Sequence, residues 1–183
     1  MNLVLASKSP RRSEILKNAG IDFVVRVADA DETIPEGTKP CDAVVFLAAK
    51  KAMAVQRADD ELILGADTVV VLDDEILGKP KDKEDAFNMI KKLSGRVHSV
   101  FTGVCAIADG FSMTFAEETR VEFYQLTDDE INTYINTDEP YDKAGAYGIQ
   151  GLASKFIRGI EGDYFNVVGL PMSAIYQKIL KNR

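Results

Sequence analysis

Histidine occurs once in the chain, at His98, and cysteine twice, at Cys41 and Cys105. His98 falls on a predicted strand with no visible partner, so it reads as structural, which argues against a Ser–His–Asp hydrolase. Two cysteines build neither a disulfide framework nor a zinc cluster; both read as buried thiols, and a reducing, cytoplasmic setting is the simplest reading. No apolar run approaches the ~20 residues that a membrane span needs. A secretory signal is also missing, because NLVLA is followed at once by polar SKSPRRSE. The chain has no internal repeat, no low-complexity tract and no linker rich in Pro, Gly or Ser. The phosphate loop GxxxxGK[ST] is absent and no GxGxxG follows a strand, which removes the main support for kinases and dinucleotide enzymes.

Positive charge is also scarce. Lys and Arg number 22 against 29 Asp and Glu, for a net charge of −7 and a pI near 4.8. Nucleic acid and membrane surfaces are bound through a positive field, so neither is an expected partner. A small anion is still open, provided that cations are gathered locally. The 183 residues, 46% hydrophobic and 28% charged, are enough for one sizeable core and are expected to form a single domain, residues 1–183.

Residues 2–6 read as a short apolar strand and 10–19 as a helix, with Ser9 at the N-cap, Pro10 first inside it and Gly20 closing it. Ile15, Leu16 and Ala19 would face inward. IDFVVRVA reads as a second strand, DAVVFLAAKKAMAVQRA as the clearest helix and ELILGADTVVVLD as the clearest buried strand. DDE turns the chain into EILGKP, and DKEDAFNMIKKLSG is a helix opened by acids and closed by Ser-Gly. Two long strands flank Asp109-Gly110 as a hairpin. Thr127 and Glu130 have capping-box spacing, and a terminal helix follows the Gly-rich DKAGAYGIQG. Strands alternate with helices and then form a hairpin, so the expected class is α/β with a mixed sheet.

Some residues resist a purely structural reading. Arg11 and Arg12 sit in a first helical turn, where the macrodipole favours acids. Open N–H groups at a helix start already attract anions, and guanidiniums beside them, with the hydroxyls of Ser7 and Ser9, would make a phosphate site. The alternative is a surface helix that tolerates a mild penalty. Lys51 falls within the apolar stripe of Val44, Leu47, Ala48 and Val55, with Lys50 at its edge, so Lys51 must snorkel out or meet an anion. Asp67 and Thr68 interrupt an almost continuously apolar strand just after Gly65-Ala66. An unpaired buried carboxylate is costly, so Asp67 needs a cation, a metal or a hydrogen-bond network, unless the strand end reaches solvent. Gly65 itself suggests close backbone approach. Lys79 is held in a stiff Gly-Lys-Pro turn. Glu32, Asp142 and Lys143 read locally as solvated charges.

In order along nearly the whole chain, LASKSPRRSEIL, Glu32, LAAKKA, GADTVV, LGKP, KLSG and DKAGAYGIQG resemble the Maf family of nucleoside triphosphate pyrophosphatases, related to septum formation inhibitors. DKAGAYGIQG resembles the branch acting on dTTP and UTP. The resemblance implies an ITPase-like mixed sheet with flanking helices in two lobes around a central cleft. It implies hydrolysis of a pyrimidine nucleoside triphosphate to the monophosphate and pyrophosphate with a divalent cation, Mg²⁺ or Mn²⁺. House-cleaning of the nucleotide pool would be the purpose, and the family's name adds a link to septum formation. A homodimer is compatible with it, although no interface can be read from the chain.

By motif, Asp67 matches the proton acceptor, and Arg11, Thr68 and Gln150 match specificity positions. Arg12, Lys51 and Lys79 match the basic residues around the phosphates, and Glu32 matches an acid of the site, a second carboxylate beside Asp67 for the metal. The chemistry suits these residue types. Water attacking a phosphoryl centre needs activation, and the leaving group needs its growing charge compensated. Gln150 carries both a donor and an acceptor with which to read a uracil or thymine edge. The rival readings are a nucleotide-binding regulator of division without turnover, and a nucleic-acid-binding module.

Overall fold

The computed structural model describes residues 2–35 and 37–181. Its elements alternate strand and helix from β1 (Asn2–Leu5), α1 (Pro10–Asn18) and β2 (Phe23–Val25) to α2 (Pro40–Ala54) and β3 (Glu61–Leu72). Then come β4 (Glu75–Leu77), α3 (Lys83–Leu93), β5 (Val97–Ala108), β6 (Phe111–Phe123) and α4 (Asp128–Ile135). Short 3₁₀ turns lead to β7 (Ile157–Glu161), α5 (Tyr164–Val168) and α6 (Met172–Ile175), which continues as a π-helical turn over Tyr176–Leu180. The sheet runs β2-β1-β3-β5-β6-β7, with β4 paired to β3. Parallel pairs β1/β2 and β1/β3 stand beside antiparallel pairs β3/β4 and β6/β7, so the sheet is mixed, as expected. Among the described residues no helix is long and apolar enough to cross a membrane.

The chain divides into two compact units. The first comprises the chain up to Thr68, Thr102–Glu117 and the chain from Gly169 onward; the second comprises Val69–Phe101 and Glu118–Val168. In the first, β1 pairs with β2 and β3 through crossovers that carry α1 and α2, the usual way to join parallel strands. Val4, Ala6, Ala48, Ala52, Val55, Ile63 and Cys105 form a core there. Burial pushes the Cys105 thiol up to about 11. Cys41, in the first turn of α2, is only half-buried, because that end of the helix emerges to solvent. Ala19 is exposed as well: α1 stops at Asn18, Ala19 is its C-cap and Gly20 leaves at φ 69°.

The second unit packs α3 and α4 with β4, around Ile90, Leu93, Phe123, Ile131, Ile135 and Phe156. Asp82 caps α3 by accepting from Asp85 N, and Thr127 and Glu130 close a reciprocal capping box on α4. His98, read as partnerless from the sequence, meets the Tyr147 hydroxyl at 2.7 Å and stands edge-on to Phe123 and Tyr147. The turn between β3 and β4 uses Asp73 and Asp74, both at positive φ (51° and 66°). Two successive left-handed residues match the twist of a tight hairpin, and asparagine, aspartate and glycine tolerate them best.

Candidate active site

In the first unit, two glycines on adjacent strands seat α2. A Cβ on Gly65 would run into the Ala48 carbonyl, and one on Gly103 would strike the Val44 carbonyl. The signal that Gly65 gives in the sequence therefore holds; Gly103 carries the same signal and was not read. Because α2 lies this close, its next turn reaches along the strand. Lys51 is three residues past Ala48 on the same helical face, and Asp67 two residues past Gly65 on the same strand face. Lys51 Nζ lies 2.5 Å from Asp67 Oδ1 and 3.0 Å from Glu32 Oε1. Lys51 and Asp67 retain 19% and 13% side-chain exposure, whereas Glu32 retains 63%, so the triplet has a dry end and a wet end. Lys50, at the edge of the stripe, pairs instead with Asp31 at 3.1 Å.

Arg12 is buried on the inner side of α1. Its Nε donates to the Gly169 carbonyl at 2.7 Å, Nη1 to Ser7 Oγ at 3.0 Å and Nη2 to Thr68 Oγ1 at 3.1 Å. Thr68 in turn shares a 2.9 Å hydrogen bond with the fully buried Thr102. Burial pushes the guanidinium down from its ordinary value; Asp67 pulls it back up, Arg11 adds to the push down and Glu32 opposes it. A guanidinium has five N–H donors, so three bonds to protein leave it short of saturation. The sequence marks Arg12 as a cation at a helix start. It does not show that the same group ties α1, β3 and the segment before α6 together, because Thr68 and Gly169 are remote in the chain.

Ser9 occupies the N-cap of α1 but its side chain makes no capping bond; its N–H points back to Ser7 Oγ at 3.3 Å. Arg11 follows on the half-exposed side of the same turn. Ser7, Arg12 and Thr68 thus form one cluster and Lys51, Asp67 and Glu32 another, and the adjacency of Asp67 and Thr68 on β3 joins them.

Lys79 and Gln150 belong to the second unit, where both side chains are exposed. Gly145 N donates to the Gly78 carbonyl at 3.0 Å, which fastens the Lys79 turn to the segment leading to Gln150. Gly145 is required there twice over: it sits at φ 65°, and a Cβ would come within 2.9 Å of Val70. Asp142 is largely solvated, as read. Lys143 is not: only 16% exposed, it pairs with Asp142 at 2.5 Å and donates to the Glu139 carbonyl at 2.6 Å. Glu139 escaped the sequence reading, because two of its three partners are backbone groups 13 and 14 residues away.

No cluster of three or more His, Cys, Asp or Glu suited to a metal exists among the described residues. Glu32 and Asp67 nevertheless direct two carboxylates at one cationic position, now taken by the Lys51 ammonium. Such an all-oxygen pair fits Mg²⁺, which keeps several waters and needs few protein ligands.

A family model described as Maf-like protein matches residues 2–182. A dTTP/UTP pyrophosphatase of Bacillus anthracis is 47% identical over 178 residues, covering 97% of this chain and 93% of its own. One from Bacillus cereus, bearing the same name, is 46% identical over the same shares. A solved structure, the Staphylococcus aureus Ham1 protein, aligns with a TM-score of 0.48 and 18% identity over 67% of this chain and 72% of its own, too distant a likeness to build on. With the family model running almost end to end and near-half identity to relatives over 97% of its length, the chain belongs to the Maf family.

Proposed function

We propose that the chain, acting as one domain, hydrolyses pyrimidine nucleoside triphosphates, dTTP and UTP first, to the monophosphate and pyrophosphate. The observation that carries this reading is the Asp67 carboxylate, held mostly buried by Lys51 and adjoining the Arg12–Thr68 cluster. Those groups are what phosphoanhydride hydrolysis needs: a base, cations for the phosphates and fixed donors. Names of relatives that align with 97% of this chain at 46–47% identity supply the substrate class.

In this mechanism the triphosphate competes with the two carboxylates for Lys51. Once the ammonium turns to a phosphate oxygen, Asp67 Oδ1 loses its partner and can accept a proton from the attacking water. Arg11 and the N–H groups at the start of α1 add donors to the phosphates. Arg12 holds Thr68 in place, so the specificity position rests on a partly buried bond. Lys79 balances charge on the departing pyrophosphate, and Gln150 reads the base through its paired donor and acceptor. Glu32 and Asp67 would hold the divalent cation, which supplies charge neutralisation at the phosphates when bound.

Incubation with each common triphosphate and Mg²⁺ or Mn²⁺, with a chelated control, tests the reading. Pyrophosphate and monophosphate in equal amounts are expected from dTTP and UTP, and none in the chelated control. Orthophosphate alone would mean that a different bond is cleaved. Tight nucleotide binding without any product would mean a non-catalytic regulator.

A further inference from the structure

We propose that Glu139 is a positioning residue that sets the conformation of the turn presenting Gln150, and thereby controls the choice of base; this rests on the base-reading role given to Gln150 above. Glu139 lies in a 3₁₀ turn (Glu139–Asp142), eleven residues before Gln150. Its side chain is turned onto the later turn. Oε2 accepts from Leu152 N at 2.7 Å, and Oε1 accepts from Ala153 N at 3.2 Å and from the Tyr134 hydroxyl at 3.1 Å. Leu152 and Ala153 open a later 3₁₀ turn (Leu152–Phe156), whose N-cap, Gly151, has no side chain to cap it. The carboxylate does that work from a distance.

The two glycines bracketing Ile149-Gln150 fit the same arrangement. A Cβ on Gly151 would strike the Glu139 carboxylate, and one on Gly148 would stand 2.8 Å from Lys143 Cε. Both glycines therefore face side chains of the 139–143 segment. That segment is itself fixed, because Lys143 Nζ donates to the Glu139 carbonyl. Tyr134, the third donor to the carboxylate, is buried and stands edge-on to Phe156 at 5.4 Å. The turn is thus tied to the core at one end, while Gln150 stays exposed at its tip.

Glu139 supplies acceptors only, and all three neighbours are donors. Glutamine at 139 would present one oxygen and one NH₂, so a donor would face a donor. Replacing Glu139 should therefore misplace Gln150 without removing any group that contacts substrate.

The test is Glu139→Gln, with kcat/KM measured for UTP, dTTP and CTP beside Gln150→Ala and the double variant. Glu139→Gln should cut the preference for UTP over CTP by about tenfold, largely through KM. The double variant should be no worse than Gln150→Ala alone, the signature of one residue acting through the other. Gly151→Ala, which keeps Glu139 but displaces its carboxylate, should shift the preference in the same way and serves if Glu139→Gln folds poorly. An equal fall for all three nucleotides, or losses that add in the double variant, overturns the positioning role alone. A preference that survives Gln150→Ala overturns the base-reading role, and this inference with it.

Discussion

The Nε of Arg12 donates to the Gly169 carbonyl at 2.7 Å, across 157 residues of chain. Together with the bonds to Ser7 and Thr68, it makes one side chain the junction of α1, β3 and the residues before α6. Lysine also has three N–H donors, but all sit on one nitrogen, which cannot span the three acceptors that Arg12 reaches from Nε, Nη1 and Nη2. Arg12→Lys should therefore lower the unfolding free energy by about 2–4 kcal/mol, the scale for breaking a buried charged network. Urea unfolding checks this, and a loss below about 0.5 kcal/mol, the level of a neutral surface change, would refute it.

Asp67 and Lys51 give a prediction of a different kind, since their pairing is expected to open on substrate binding. Asp67→Asn keeps size and polarity but cannot take a proton from water. Pyrophosphate release should fall by about 10²–10⁴-fold, the usual worth of a positioned acid or base. Nucleotide affinity titrated without divalent cation should hold or rise, because Lys51 loses its strongest competitor for phosphate. Single-turnover kinetics beside equilibrium nucleotide titration separate the two effects; turnover within about threefold of the parent would remove Asp67 from the chemistry.

Much of this arrangement was legible because helix and strand periodicities are strict. Lys51 inside an apolar stripe and Asp67 inside an apolar strand each demand a partner, and Gly65 indicates that two backbones meet. The structure brings Lys51 and Asp67 to each other. The capping box on α4 and the Asp109-Gly110 turn depend on neighbours in sequence and were equally readable. The structural tasks of Arg12 and Glu139 were not. Arg12 acts on a carbonyl of residue 169, and Glu139 on the N–H groups of residues 152 and 153. Backbone groups leave no compositional trace, so a side chain that serves them from a distance looks like any other surface charge.

The Asp73-Asp74 turn carries a small strain that can be relieved. Asp74 stands at φ 66° and is exposed, whereas Asp73 also pairs with Arg96 at 2.7 Å and should be kept. Glycine adopts the left-handed region without the clash that a Cβ brings. Asp74→Gly should raise stability by about 0.5–1 kcal/mol, seen as a higher urea midpoint at unchanged slope. A lower midpoint would show that the aspartate side chain contributes more than its backbone strain costs.

His98 sets a pH dependence. Its Nε2 meets the Tyr147 hydroxyl, its Nδ1 has no partner among the described residues, and burial pushes its pKa down to about 4 from 6.5. Protonation would place a charge, with an unmatched N–H, in an aromatic cluster. The unfolded chain binds a proton near pH 6.5 and the folded chain does not until about pH 4. The associated stability is therefore fully present above pH 6.5 and is lost progressively as the pH falls toward 4. Between pH 7.5 and 5.0 the loss should be about 2 kcal/mol from this group alone. Carboxylates titrate in the same region, so the parent must be compared with His98→Gln, which keeps a polar partner for Tyr147 but does not titrate. The variant should lose about 2 kcal/mol less than the parent over that interval, in urea unfolding at each pH. Parallel pH profiles would show that the folded protein accommodates a protonated His98.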